Sequence, residues 1–390
     1  MTGLSFRAHI GLGICRTRQI PDARLSLSKK FGMGKRAGSF LYFIKNPLGS
    51  FANSSLSDYR SGRLLCLLLL AGLAGCGRPS EHLVVYSARN EQLIKPMFDR
   101  YTAETGMPIR FVTDDAGPLI ERLNAEGENS PADILMTVDA GELWHAADRG
   151  LLQPIDSPTL QENIPASLRD PGNRWFGFSV RARTIVYSTE RVQPESLSDY
   201  ESLAQPQWQG RLCLRTSKKV YNQSLVAMLI VEHGEARTEA IVKGWINNLA
   251  TDVFSNDVLL MEAIIAGQCD VGLVNTYYFG RLLRDEPDAP LKLFWADQKG
   301  EGVHVNISGA GVAAHARHPE QARKFLEWLS QPEAQSLFAG LNLEYPASPA
   351  VKADPIVQAW GEFKPSGQNI AKAGELQADA VKLMDRAGYR

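Results

Sequence analysis

The chain has 390 residues, 44% of them hydrophobic, and a formal net charge of −1. That near balance hides a split: residues 1–63 carry eleven Lys/Arg against Asp22 and Asp58, whereas the chain from Cys76 onward carries 31 basic and 41 acidic residues. An acidic main body excludes nucleic acid as a partner, because phosphate binding needs a basic surface.

The charge split falls at an uncharged run. Arg60 and Arg63 precede Leu64-Leu65-Cys66-Leu67-Leu68-Leu69-Leu70, and Leu73-Ala74-Gly75-Cys76 follows. A basic flank, a short apolar core and small residues before a cleavage point make an export signal, too short to span a bilayer. Leu-Ala-Gly-Cys resembles the lipobox of bacterial lipoproteins, which implies an acylated Cys76 at the mature N-terminus. Residues 1–75 are thus expected to be leader and signal. Residues 1–59 show no helix or strand pattern, as expected if the start codon is placed too early.

Export places the mature chain in an oxidising compartment, where disulfides persist. Past Cys76 only Cys213 and Cys269 remain, each eight residues before a tyrosine, Tyr221 and Tyr277, and each in a strand-like run. They are expected on neighbouring strands and bonded; two buried free thiols are the alternative, because pairing needs a Cα separation that sequence does not supply.

From His82 the pattern alternates apolar runs with amphipathic helices. Leu83–Tyr86 reads as a strand, and Asn90 as an N-cap of a helix with Ile94, Met97, Phe98 and Tyr101 on one face. A strand over 108–112, a helix through Leu119 and Leu123, a strand over 133–137 and a helix through Leu143 and Ala147 follow. This β-α-β-α-β order predicts a mostly parallel sheet with helices on both faces. Residues 175–187 read as one long strand crossing to a second lobe, with Arg181 and Arg183 on the same side. The second αβ region has strands at 211–215 and 269–274, and helices near Leu225–Leu229 and Leu259–Ile265. Residues 302–308 are a second extended crossing, and a helix through Phe325 follows. Two αβ lobes joined by two extended crossings predict a hinge-closing receptor with its ligand cleft between them. The expected division is 76–182 plus about 305–350 for the first lobe and 183–304 plus about 351–390 for the second.

Functional chemistry is sparse. No His/Cys metal cluster, phosphate-cradling glycine loop or Gly-x-Ser-x-Gly elbow is present, so nothing supports an enzyme. What recurs is tyrosine at strand ends: Tyr221 after the 211–215 strand, and the pair Tyr277-Tyr278 after the 269–274 strand. Three phenols on one patch are either core aromatics or oxygen donors for a hard cation. With a reference pKa near 10, a phenol ionises at neutral pH only if a strong Lewis acid such as ferric ion displaces its proton.

Several stretches resemble the ferric-ion-binding proteins of bacterial ABC importers, especially the tyrosine-rich branch found in cyanobacteria. They are Tyr86-Ser87-Ala88-Arg89, Ser130-Pro131-Ala132-Asp133-Ile134-Leu135, Arg181-Ala182-Arg183, Tyr221-Asn222-Gln223-Ser224-Leu225, Asn275-Thr276-Tyr277-Tyr278 and His304-Val305-Asn306. Their order and spacing cover nearly the whole mature chain. The resemblance implies an α/β, two-lobed periplasmic-binding-protein fold. It implies Fe(III) held by Tyr221, Tyr277 and Tyr278, with Arg181 and Arg281 near the metal. It also implies delivery to an inner-membrane ABC permease by a lipid-anchored monomer of the periplasm or cell envelope.

The match breaks at the first-lobe ligand. Relatives carry a histidine, or histidine followed by tyrosine, where this chain has Asn90-Glu91. Glu91 either supplies a carboxylate or is a solvated acid in a helix first turn, where the dipole favours it. With Glu91, three phenolates and one carboxylate leave an excess negative charge for an arginine to offset. Without it, water or a synergistic anion such as carbonate completes the shell, gripped by Arg181 or Arg281. Asp139 is a further first-lobe carboxylate or an N-cap. Arg181 and Arg183 form a surface stripe or face the cleft; Lys218 and Lys219 read as solvated, and His304 as a packing or hinge residue. The alternative function is a receptor for a small organic or phosphorylated anion bound by Arg181, Arg183 and Arg281.

Overall fold

The computed structural model describes residues 82–390; the leader, the apolar signal run and Cys76 lie outside the described residues. Among the described residues, β1 (Leu83–Ser87), β2 (Ile109–Thr113), β3 (Ile134–Thr137), β4 (Phe176–Ser188), β5 (Leu212–Cys213), β6 (Val271–Asn275), β7 (Leu291–Phe294), β8 (Val305–Val312) and β9 (Tyr345–Pro346) form one sheet in the order β2-β1-β3-β8-β4-β6-β5, with β7 and β9 also paired to β4. In the first lobe, β1 (Leu83–Ser87), β2 (Ile109–Thr113) and β3 (Ile134–Thr137) are parallel, as the β-α-β-α-β pattern predicts. The helix Glu91–Thr105 buries Ile94, Met97, Phe98 and Tyr101, each contributing about 1.5–3 kcal/mol on full burial.

The sheet as a whole is mixed rather than mostly parallel, because the two crossings run against their neighbours. β4 (Phe176–Ser188) pairs antiparallel with β8 (Val305–Val312) up to Ala182↔Val305. From Arg183↔Asn275 onward it pairs antiparallel with β6 (Val271–Asn275), and it also carries β7 (Leu291–Phe294). One long strand therefore serves both lobes. Tyr200 pins the crossings where they enter the second lobe: its hydroxyl donates to Arg183 O at 2.6 Å and accepts from His304 N–H at 2.9 Å. His304 itself is buried, and burial with Arg181 and Arg183 beside it pushes its imidazole down to about 3.

All thirteen residues of β4 are buried, so the surface-stripe reading of Arg181 and Arg183 is overturned: each is only 2% exposed. A strand covered on both faces gives its alternation no solvent side to report.

In the second lobe, β5 is short (Leu212–Cys213) and lies parallel beside β6. Cys213 and Cys269 are bonded, with Cα atoms 5.9 Å apart. The bridge closes a span of 56 residues, so a Cys213→Ser/Cys269→Ser variant is expected to lose about 2–4 kcal/mol of unfolding free energy. Urea denaturation of the oxidised protein against the variant measures this.

Candidate functional site

Tyr221 lies in the first turn of helix Val220–His233, and Tyr277 and Tyr278 in the first turn of helix Thr276–Asp285, which follows β6 without a loop. Because β5 and β6 are parallel neighbours, both helices start at the same end of the sheet. The three rings line one cavity of about 200 Å³ with Arg89, Asn90, Asp115, Arg181, Arg281 and Glu344 among the other walls. The rings of Tyr277 and Tyr278 are 4.4 Å apart. Gly280 lets this helix sit close to its neighbours: a Cβ there would fall 2.6 Å from Trp360 and 2.9 Å from Leu343.

Arginines surround the phenols. The Arg181 and Arg215 guanidiniums each lie 5.3 Å from the Tyr221 ring centre, and Arg215 lies 5.7 Å from that of Tyr278. Arg281 lies 5.3 Å from Tyr277 and 5.8 Å from Tyr278, and bonds Asn342. Burial still raises the Tyr221 phenol against the pull of Arg181, and burial with Tyr221 and Tyr278 beside it holds Tyr277 well above the usual phenol range. The Tyr221 and Tyr277 phenols are therefore neutral at neutral pH. Among the described residues, no group of three His, Cys, Asp or Glu forms a metal-binding cluster.

A buried network fixes the tyrosines from behind. Arg183 donates from Nε to Asn222 at 2.8 Å and from Nη1 to both Asp257 and Asn275 at 3.1 Å. Asn222 follows Tyr221 and Asn275 precedes Tyr277 by two, so one guanidinium ties both tyrosine segments together. Asp257 also accepts from Arg215 at 3.3 Å and from the Asn275 backbone N–H at 2.9 Å. Sequence reading missed Asp257 entirely, since it is an ordinary first-turn acid of helix Asp257–Ile265.

The first lobe offers a different wall. Asn90 caps helix Glu91–Thr105 by its backbone alone and lines the tyrosine cavity. Glu91 is exposed and lines an adjoining depression with Asp114 and Asp115. Arg89 is held by Ser308 at 2.8 Å, Glu344 at 2.9 Å and Phe338 O at 3.1 Å. Arg89 and Glu344 are 255 residues apart in the chain, so no local pattern flags Glu344. The Arg89 guanidinium and burial act oppositely on Glu344, whose carboxyl ends below the usual range.

Asp139 is the N-cap of helix Ala140–Asp148, with Oδ1 accepting from Gly141 N–H at 2.8 Å. Its Oδ2 lies 3.7 Å from Arg181 Nη2, and both Arg181 Nη atoms are buried without a hydrogen-bond partner. Burial, with Asp139 beside it, pushes the Glu142 carboxyl up to about 8. Lys218 and Lys219 are exposed.

Similarity to known proteins places the chain in a family. The model for the bacterial extracellular solute-binding proteins matches residues 129–373. Iron uptake protein A1 of Synechocystis is 41% identical over 326 residues, covering 82% of this chain and 91% of that protein. The iron- and citrate-bound IdiA (FutA) structure from Trichodesmium has 45% identity and a TM-score of 0.77, covering 79% of this chain and all of that one. The ferric iron-binding protein A of Mannheimia haemolytica, in an open conformation, has 36% identity and a TM-score of 0.74, covering 79% of this chain and 99% of that one. The two lobes, the paired crossings and the interlobe cavity are those of a periplasmic binding protein, and this chain belongs to the bacterial extracellular solute-binding family, in the group that holds the ferric-iron-binding proteins.

Proposed function

We propose that this protein is the ferric-iron receptor of an ABC importer, capturing Fe(III) between its lobes and passing it to an inner-membrane permease. The observation that carries this is the convergence of the Tyr221, Tyr277 and Tyr278 side chains on one cavity ringed by guanidiniums. Phenolate oxygens suit a hard trivalent cation, and the arginines offset the charge of three phenolates. It is a binding protein and not a catalyst. It works as a monomer, tethered to the membrane through an acylated Cys76.

Tyr221, Tyr277 and Tyr278 are the proposed ligands. At the first lobe, Arg181 is the proposed grip for a synergistic anion or a bound water that completes the shell, since its Nη atoms are buried and unpartnered. Asn90 completes that wall, Arg281 faces it from the second lobe, and Glu91 enters the shell only if helix Glu91–Thr105 rotates toward the cavity. The proposed hinge lies at 182/183 and 304/305, supported by the switch of β4 from β8 to β6 at that point. It divides 76–182 and about 305–350 from 183–304 and about 351–390.

Titrating the purified protein with ferric citrate tests the reading. A visible phenolate-to-iron charge-transfer band is expected; a colourless protein that binds no ferric ion overturns it. Binding of an organic or phosphorylated anion in metal-free buffer, seen by calorimetry, would favour the anion-receptor alternative, for which the unpartnered Arg181 also speaks. Because the Tyr221 and Tyr277 phenols are raised, iron must displace a proton from each. Apparent affinity is therefore expected to rise with pH and fall with acid, with about three protons released per iron. Calorimetry in buffers of different ionisation enthalpy counts those protons.

A further inference from the structure

We propose that the contact of Asp139 with Ser224, backed by Gln377, is an interlobe latch that sets how firmly the cleft shuts on its cargo. The proposal rests on the iron reading for one of its readouts. Asp139 caps a first-lobe helix with Oδ1 and uses Oδ2 to accept from Ser224 Oγ of the second lobe at 2.9 Å and from Asn306 Nδ2 on β8 at 2.7 Å. Ser224 lies one turn beyond Tyr221 on the same helix. The contact therefore holds the tyrosine-bearing helix as a body against the first lobe. Asp139 and Ser224 are fully buried.

Gln377 makes a second bridge between the same two helices. Its Oε1 lies 2.8 Å from His145 Nε2 in helix Ala140–Asp148, and its Nε2 donates to Gln223 at 2.9 Å in the helix that carries Tyr221. Gln377 stands where the C-terminal stretch, after touching the first lobe, returns to the second. Upstream, Asn369 Nδ2 donates to Ala166 O at 2.8 Å and Ile370 N–H to Ser167 O at 3.0 Å, on the first-lobe side. Downstream, Arg386 pairs with Glu235 at 2.6 Å and Glu239 at 3.0 Å, and the Tyr389 hydroxyl donates to Arg215 O at 2.6 Å. Helices Ala371–Glu375 and Gln377–Arg386 break at Leu376 (φ −103°, ψ 5°). Gly374 lets the first of them lie against Trp144, where a Cβ would come within 2.5 Å.

Asp139, Ser224 and Gln377 do not line the tyrosine cavity. Asp139 also faces Arg181 at 3.7 Å, so the variants that test the latch leave it in place and change Ser224 and Gln377; any bias toward the shut form raises apparent affinity by the fraction of closed protein.

The test uses the mature protein with Gln377→Ala and with Ser224→Ala/Gln377→Ala. The first variant changes a half-buried side chain and keeps the test readable if Ser224 proves needed for folding. Half-saturation by ferric citrate is expected to rise about threefold for the single variant and about tenfold for the double. The absorption maximum of the saturated variants stays at the wild-type position, and small-angle scattering of the iron-free double variant shows a larger radius of gyration than wild type. Unchanged affinity and unchanged radius overturn the latch. So does a shifted absorption maximum, because the contacts would then act on the ligand set. A wild-type protein without the band refutes the iron reading instead, while the radius comparison still decides the latch.

Discussion

A Tyr277→Phe/Tyr278→Phe variant is expected to fold normally and to lose the visible iron band, with ferric affinity falling on the order of 10⁴-fold. The rings themselves pack: Tyr277 is 5% exposed in a cluster with Leu343 and Val357, and Tyr278 touches that cluster and its neighbour. Phenylalanine keeps those contacts but loses three hydroxyl interactions: the 3.4 Å donation from Asn275 Nδ2 to the Tyr277 hydroxyl, the Tyr277–Tyr221 hydrogen bond and the Tyr278–Arg215 hydrogen bond. The change in unfolding free energy should therefore stay within about 1–3 kcal/mol. A metal site loses two of its three phenolates and an organic-anion site loses almost nothing, because phenyl walls and guanidiniums remain. Wild-type iron affinity in the double variant would remove both tyrosines from the ligand set.

The second large effect is on stability. Asp257→Ala is expected to cost about 3–5 kcal/mol, because it leaves the buried guanidiniums of Arg183 and Arg215 without their shared carboxylate. It also strands the Asn275 backbone N–H, which donates to Asp257 at 2.9 Å immediately before the tyrosine helix. Asp257→Asn keeps an acceptor but not the charge, so its loss should be intermediate. Chemical denaturation gives the free energies, and iron titration of the Asn variant reports how far the tyrosines have moved. A loss under about 1 kcal/mol for the Ala variant would mean that water or another acid takes over the pairing.

The helices and strands of the first lobe were legible from residue spacing. Ile94, Met97, Phe98 and Tyr101 form one buried face, and the structure places them so. The cysteine pair was legible from its position in two strand-like runs, and β5 and β6 are neighbours with the bond formed. The placement of Tyr277 and Tyr278 was also local information, since they open the helix that directly follows β6, whereas Tyr221 opens a helix reached by a polar connection after β5 ends at Cys213. Resemblance, rather than spacing, raised those tyrosines from packing aromatics to metal ligands.

Other features follow from long-range contacts that leave no local mark. Alternation along β4 could not say which way Arg181 and Arg183 face, because that strand is covered on both sides. Asp257 meets Arg183 from 74 residues away and Glu344 meets Arg89 from 255, so each reads in isolation as an ordinary acid. The contact of the C-terminal stretch with the first lobe before Leu376–Gln377 escaped a reading that looked for extended strands, because short helices broken at Leu376 make it. What the sequence determined by itself was the local order of elements, the export signature, the cysteine pair and the tyrosine pair that directly follows a strand. Only the tertiary structure decided which charges are buried against each other and how the lobes are held together, since those depend on distances between segments that chain order does not carry.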